Sequence, residues 1–148
     1  MNIQAECAAL QQITMFHDVE QARLRLFALS GQRVSYEAGD VIFRQGEPSE
    51  ALYIILEGTV GMTREQAAGK VHLAQISEGN MIGETGVLCG ENRTATAEAT
   101  SPVTVLLIDR HAFNEVARDV PQVSFAIARE LARRLEDMNK QLSASTGT

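Results

Sequence analysis

The chain has 148 residues, 45% hydrophobic and 22% charged, and its 13 basic residues against 19 acidic ones leave a net charge of −6. That length makes one ordinary domain, able to bury about 68–70% of its unfolded surface without disulfides or a metal. The composition excludes a disordered chain, a collagen and a coiled-coil rod, and the acidic balance argues against a generally basic nucleic-acid binder, which needs surplus Lys and Arg for phosphates. A small anion can still be held locally.

The first zone runs from Met1 to about Ser30. Leu10, Ile13, Met15 and Phe16, then Ala22, Leu24, Leu26 and Phe27, predict two short helices broken near His17 and Asp18. Asp18 is the expected N-cap and Gly31 the expected stop. The N-terminus lacks the basic segment of a secretory signal, and no apolar run approaches the ~20 residues of a membrane span. Cys7 and Cys89 form no CxxC pair and read as reduced thiols of a cytoplasmic protein.

The period changes after Gln32. Stretches rich in Val, Ile, Tyr and Thr at 34–36, 41–44, 51–56, 59–63, 71–76, 94–99 and 103–108 alternate with glycine- or proline-containing turns. Short strands at this spacing predict antiparallel β structure and leave no room for crossover helices. The segment 83–93, Gly-Glu-Thr-Gly-Val-Leu-Cys-Gly-Glu-Asn-Arg, has no alternation. It fits one helical turn after Gly83 and then a loop, and irregular stretches inside β domains are often functional.

The third zone is helical. Residues 110–118 make a short helix, and Pro121 opens the next. In that helix Ile127, Leu131, Leu135, Met138 and Leu142 form one apolar stripe at helical spacing. Arg129, Arg133 and Arg134, interleaved with Glu130, Glu136 and Asp137, read as a solvated face. One domain, 1–142, with a disordered polar tail at 143–148, accounts for the whole chain.

The 83–93 segment is where chemistry concentrates. Gly83 and Gly86 let backbone approach a ligand, Arg93 can grip two oxygens of a phosphate, and Glu84 is a good acceptor for a sugar hydroxyl. On spacing alone, turn glycines and a surface arginine remain the simpler reading. However, Gly83-Glu84-Thr85-Gly86-Val87-Leu88 with Asn92-Arg93-Thr94-Ala95-Thr96-Ala97 resembles the phosphate-binding cassette of the cyclic nucleotide-binding domain family. Gly39-Asp40, Phe43, Gly46, Leu52-Tyr53-Ile54-Ile55, Gly58, Val60 and Gly79 also fit that family's pattern, so the resemblance covers the chain from about Leu10 to Met138.

The resemblance implies a mainly β fold with flanking helices: an antiparallel, double-stranded jelly-roll-like β-roll with helices at its N-terminus and lid helices at its C-terminus. It implies that Glu84 accepts from the ribose 2′-OH and that Arg93 pairs with the cyclic phosphate. Gly83, Thr85 and Gly86 would offer backbone N–H groups, and Thr94 a hydroxyl. Leu73 would pack against the base and Val87 flank the pocket. Thr85, Gly86 and Asn92 stand where many members have Leu, Ala and Pro, which bears on affinity.

The expected function is that of a stand-alone, cytoplasmic regulatory module. It would bind cyclic AMP, or cyclic GMP as the second choice, and signal to a partner protein through its C-terminal helix. Only ten residues follow Met138, too few for a DNA-binding domain of the bacterial activator type. No further cofactor, metal, nucleic acid or membrane is expected. His17, His72 and His111 are isolated, and no nucleophile or metal-water constellation marks an enzyme such as a phosphodiesterase. A module of the same fold that binds no nucleotide is the alternative. The apolar stripe is expected to pack on the chain's own roll, giving a monomer, with a dimer through that stripe as the rival.

Overall fold

The computed structural model describes the backbone of residues 3–146 and side chains through residue 142. Helices α1 (Ile3–Gln12) and α2 (Gln21–Ser30), joined by a 3-10 turn at Thr14–Phe16, precede the β region. Strands β1 (Gln32–Tyr36), β2 (Val41–Phe43), β3 (Ala51–Glu57), β4 (Thr59–Gln66), β5 (Gly69–Ser77) and β6 (Met81–Ile82) lead to the short helix α3 (Glu84–Cys89). Strands β7 (Thr96–Ala99) and β8 (Val103–Asp109) close the roll, and α4 (Arg110–Asp119) and α5 (Pro121–Thr146) follow. The backbone is thus helical to Thr146, into the segment expected to be a disordered tail; residues 147 and 148 lie outside the described residues.

The strands form two four-stranded antiparallel sheets, ordered β1-β8-β3-β6 and β2-β7-β4-β5. The sequence explains why the first sheet is the apolar one. Successive side chains of a strand point to opposite faces. Leu52 and Ile54 of β3 enter the core under the helices, whereas Ala51, Tyr53 and Ile55 enter the interior of the roll. Strand β8 divides likewise, with Leu106 and Ile108 on the helical side and Val103 and Val105 on the roll side. Burial on both faces accounts for the unbroken apolar runs of β3 and β8, each large side chain contributing about 1.5–3 kcal/mol.

The helices are fastened at specific points. Phe16 meets Phe27 edge-on at 5.4 Å, and buried Glu6 of α1 accepts from Arg33 of β1 at 2.7 Å. Burial also pushes the Cys7 thiol above its ordinary pKa. Gly31 does end α2, but its φ of −100° is one any residue adopts. Glycine is needed there because a Cβ would stand 2.6 Å from Leu106. Asp18 does not cap α2: Glu20 holds that position without a side-chain bond, and Asp18 pairs instead with Arg129 of α5 at 3.5 Å.

The stripe of α5 is covered only in part. Ile127 is buried and Leu131 half-buried, but Leu135 and Met138 are 59% and 58% exposed. The expectation that the whole stripe packs on the chain's own roll is therefore corrected. The stripe is thus buried at its start and open at Leu135 and Met138.

Gly58, in the tight β3–β4 turn, has φ +93°, and a Cβ there would lie 2.2 Å from the Pro102 carbonyl oxygen. Gly58→Ala is expected to destabilise the domain by about 1–3 kcal/mol or more, from left-handed strain together with the overlap. Urea denaturation checks this, with a lower midpoint at unchanged slope as the expected result.

Candidate functional site

Residues 83–95 fold around one side chain. Arg93 is only 6% exposed, yet no carboxylate among the described residues forms an ion pair with it. Nη1 donates to the Gly83 carbonyl at 2.9 Å and Nη2 to the Ala51 carbonyl at 2.5 Å. Its Nε is buried without a partner. Burial pushes the guanidinium pKa below its ordinary value, with Tyr53 and Glu47 pulling the other way. Arginine nonetheless stays protonated in proteins. The result is a desolvated cation facing a cavity with donor capacity unspent.

The backbone around Arg93 is held from two directions. Its N–H donates to the Glu47 carbonyl and its own carbonyl accepts from Gly46, both at 2.8 Å. Arg64 of β4 donates to the Thr94 carbonyl at 2.9 Å. The loop after β2 is itself fixed, since Glu47 accepts from the Arg44 N–H and Thr96 from the Gln45 N–H.

The two glycines of the segment have separate reasons. Gly83, which precedes α3, has φ +77°, and a Cβ on it would meet Arg93 Nη1 at 2.6 Å. Gly86 sits against buried Ser49, whose Oγ would be 1.9 Å from an added Cβ. Glycine at 86 is thus a packing requirement of this chain.

The cavity beside Arg93 measures about 170 Å³. Six of the eight expected residues line it: Gly83, Glu84, Thr85, Gly86, Arg93 and Thr94. The other two do not. Val87 is buried in the core beneath the helices. Leu73 is 42% exposed on β5 and lies off the cavity wall. It shares strand parity with exposed Gln75 and Ser77, whereas Ala74 and Ile76 turn inward. A register shift opposite, between Met62 and Thr63, leaves Leu73 without a paired residue on β4.

The apolar wall is made instead by Met62, Ile76, Met81 and Ile82, with Phe43 beside the guanidinium. Sequence reasoning missed these residues as cavity lining. The inward parity of Ile76 was readable; the two-residue strand carrying Met81 and Ile82 was too short to show a period. It also misread Arg134. This side chain, expected on a solvated face, crosses from α5 to Glu84 at 3.2 Å and also reaches Glu130 at 3.5 Å. Buried Glu130 further accepts from Arg133.

A cation without a counter-ion, a nearby carboxylate and an apolar wall together suit an anionic ligand with hydroxyl groups and a flat apolar portion. Among the described residues no cluster of three His, Cys, Asp or Glu is placed to hold a metal ion, and no helix is long and apolar enough to cross a membrane.

Known proteins agree with that chemistry. A family model described as the cyclic nucleotide-binding domain matches residues 33–119. The CRP-like cAMP-activated global transcriptional regulator of Mycobacterium tuberculosis is 32% identical over 130 residues, which are 87% of this chain and 58% of that protein. The chain therefore spans little more than half the length of that relative. The crystal structure of Thermus thermophilus catabolite activator protein superposes with a TM-score of 0.80 at 30% identity, over 89% of this chain and 62% of that one. The regulatory subunit of a cAMP-independent protein kinase A from Trypanosoma brucei gives a TM-score of 0.77 at 25% identity, over 86% of this chain and 46% of that one.

Gly86→Ala is expected to lower stability by about 1–3 kcal/mol through overpacking against Ser49. Adding Ser49→Gly should recover part of that loss, because the Glu91 carbonyl oxygen would still lie 2.9 Å from the added Cβ. Thermal or urea denaturation of the two single variants and the double variant measures the coupling.

Proposed function

The chain belongs to the cyclic nucleotide-binding domain family, and from that premise we propose that it is a regulatory module binding cyclic AMP in the cavity beside Arg93. The observation that carries the reading is the buried Arg93 guanidinium without an anionic partner. A buried charge lacking compensation is unfavourable, and a cyclic phosphate supplies the missing anion through charge-assisted hydrogen bonds.

The other roles follow from position. Glu84 accepts the ribose 2′-OH; a carboxylate has about four lone-pair sites, so it can do this while also bonded to Arg134. Gly83, Thr85 and Gly86 offer backbone donors, and the Thr94 hydroxyl reaches the phosphate. Met62, Ile76, Met81 and Ile82 supply an apolar surface for the base. The preference for cyclic AMP over cyclic GMP rests on likeness to the cAMP-activated relative, and Thr94 leaves cyclic GMP as the second ligand. The protein acts by binding in the cytoplasm, with no reaction of its own and no further cofactor.

Ligand cavities usually measure about 300–1,000 Å³. The cavity, at about 170 Å³, is smaller than that, and on this reading it widens as a nucleotide binds. The element across its mouth is α5, through Arg134. Binding is thereby linked to the position of α5, and a partner protein or a second copy that favours the same position senses the ligand. Light scattering with and without nucleotide separates the monomer, our preferred state, from the dimer.

Calorimetric titration with cyclic AMP and cyclic GMP in parallel tests the proposal. Arg93→Ala is expected to weaken binding about 10- to 150-fold, the loss of a charge-assisted bond to a partly buried phosphate. Equal affinity in variant and wild type overturns the assignment. For Glu84 the measurement is a cycle. The 2′-deoxy analogue should bind the wild type less tightly than cyclic AMP does, while Glu84→Ala should bind the two nearly alike, a coupling of about 1–2 kcal/mol.

A module of the same fold that binds no nucleotide is the second reading, and the likeness to a cAMP-independent regulatory subunit favours it. Absence of heat and of thermal stabilisation with either nucleotide at millimolar concentration would establish it.

A further inference from the structure

Phe43 stands in an unusual relation to the site. It is an apolar residue whose ring lies under a buried cation, with the Arg93 Cζ 4.1 Å from the ring centroid. Tyr53 adds a second ring, its centroid 5.8 Å from the same carbon and 5.7 Å from that of Phe43, to which it is stacked at 30°. Both rings are buried. The contact is tight on the far side as well, because a Cβ on Gly83 would lie 3.3 Å from Phe43 Cε2 and 2.6 Å from Arg93 Nη1. Phe43, Gly83 and Arg93 therefore form a three-way contact with no room for a further atom.

We infer that Phe43 is a positioning residue for the anion site: its ring face, backed by Tyr53, takes the place that an acidic partner would otherwise fill and holds the Arg93 guanidinium charged, buried and oriented. The inference rests on the reading of Arg93 as the phosphate ligand and adds what keeps that ligand ready. A carboxylate at this position would neutralise Arg93 and repel the phosphate. An aromatic face attracts the cation through its quadrupole, carries no net charge, and accepts none of the five N–H donors. The donors lie in the guanidinium plane. A ring closing one face leaves them for the two carbonyls of Gly83 and Ala51 and for a bound anion.

Strand β2 delivers both parts of this support. Phe43 is its last residue, paired with Ala97 after a register shift that follows Val41. The loop that continues from it, through Gly46 and Glu47, clamps the Arg93 backbone. Side chain and main chain of Arg93 are thus set by one short segment.

The test alters the ring's electrons while keeping its shape. Mono-, di- and trifluorophenylalanine at position 43 of the full chain progressively weaken the quadrupole, and Phe43→Leu removes it. Cyclic AMP affinity is expected to fall stepwise through the series, by about 2- to 30-fold at its end. In the ligand-free protein the Arg93 Nε–H resonance should carry a ring-current shift and exchange slowly, and Phe43→Leu should abolish both. A flat affinity series, with Arg93→Ala still impaired, overturns the inference and leaves the phosphate site standing. A wild type that binds neither cyclic nucleotide overturns the phosphate reading instead. The resonance then decides the positioning alone, and its persistence in Phe43→Leu refutes it.

Discussion

The site depends on keeping one positive charge out of water without giving it a negative neighbour. Two main-chain carbonyls and two aromatic rings surround the Arg93 guanidinium, and each demands something of the surrounding chain. Gly83 must lack a Cβ, β2 must end on Phe43, and the loop after β2 must return to grip the backbone on either side of Arg93. Desolvation makes the arrangement strict, because an uncompensated buried charge tolerates little rearrangement. Gly86 is matched to Ser49, so that position and its neighbour form a local pair.

The double-faced sheet carries the consequences outward. Strands β3 and β8 contribute to the roll interior on one side and to the helical core on the other. Helix α3 makes a similar junction in six residues, with Glu84 on the cavity and Val87 in the helical core. The carbonyl of Ala51 meets Arg93 while its neighbour Leu52 packs under the helices. Cavity and helices therefore share structural elements, and interiors packed at crystal-like density transmit displacement across such elements.

Much of this was legible from residue order. Alternation and turn glycines located seven of the eight strands, and the family resemblance carried by Gly83, Glu84 and Arg93 marked the segment that lines the cavity. What escaped had physical reasons. Strand β6 is two residues long and has no period to detect. Leu73 was placed at the base by the resemblance alone, whereas it shares the outward parity of Gln75 and Ser77 and is left unpaired where the register with β4 shifts. Asp18 has good capping chemistry, yet a tertiary partner, Arg129, claims it. Arg134 lies among charges that look solvated in one dimension, and only the position of α5 over the roll reveals which of the three arginines turns to the cavity. The half-covered stripe of α5 belongs to the same class, since helical periodicity gives the apolar face but not the extent of the surface beneath it.

The Arg134–Glu84 contact also bears on timing. It joins residues fifty positions apart, both of which line the cavity beside Arg93. On the proposed function, entry of a nucleotide would wait for an opening excursion of α5. The association rate would then scale with the fraction of molecules open at any moment, and departure would pass the same gate. On that reading the strength of this one ion pair would bear on both the dwell time and the affinity of a bound nucleotide, because Glu84 is also the proposed ribose acceptor.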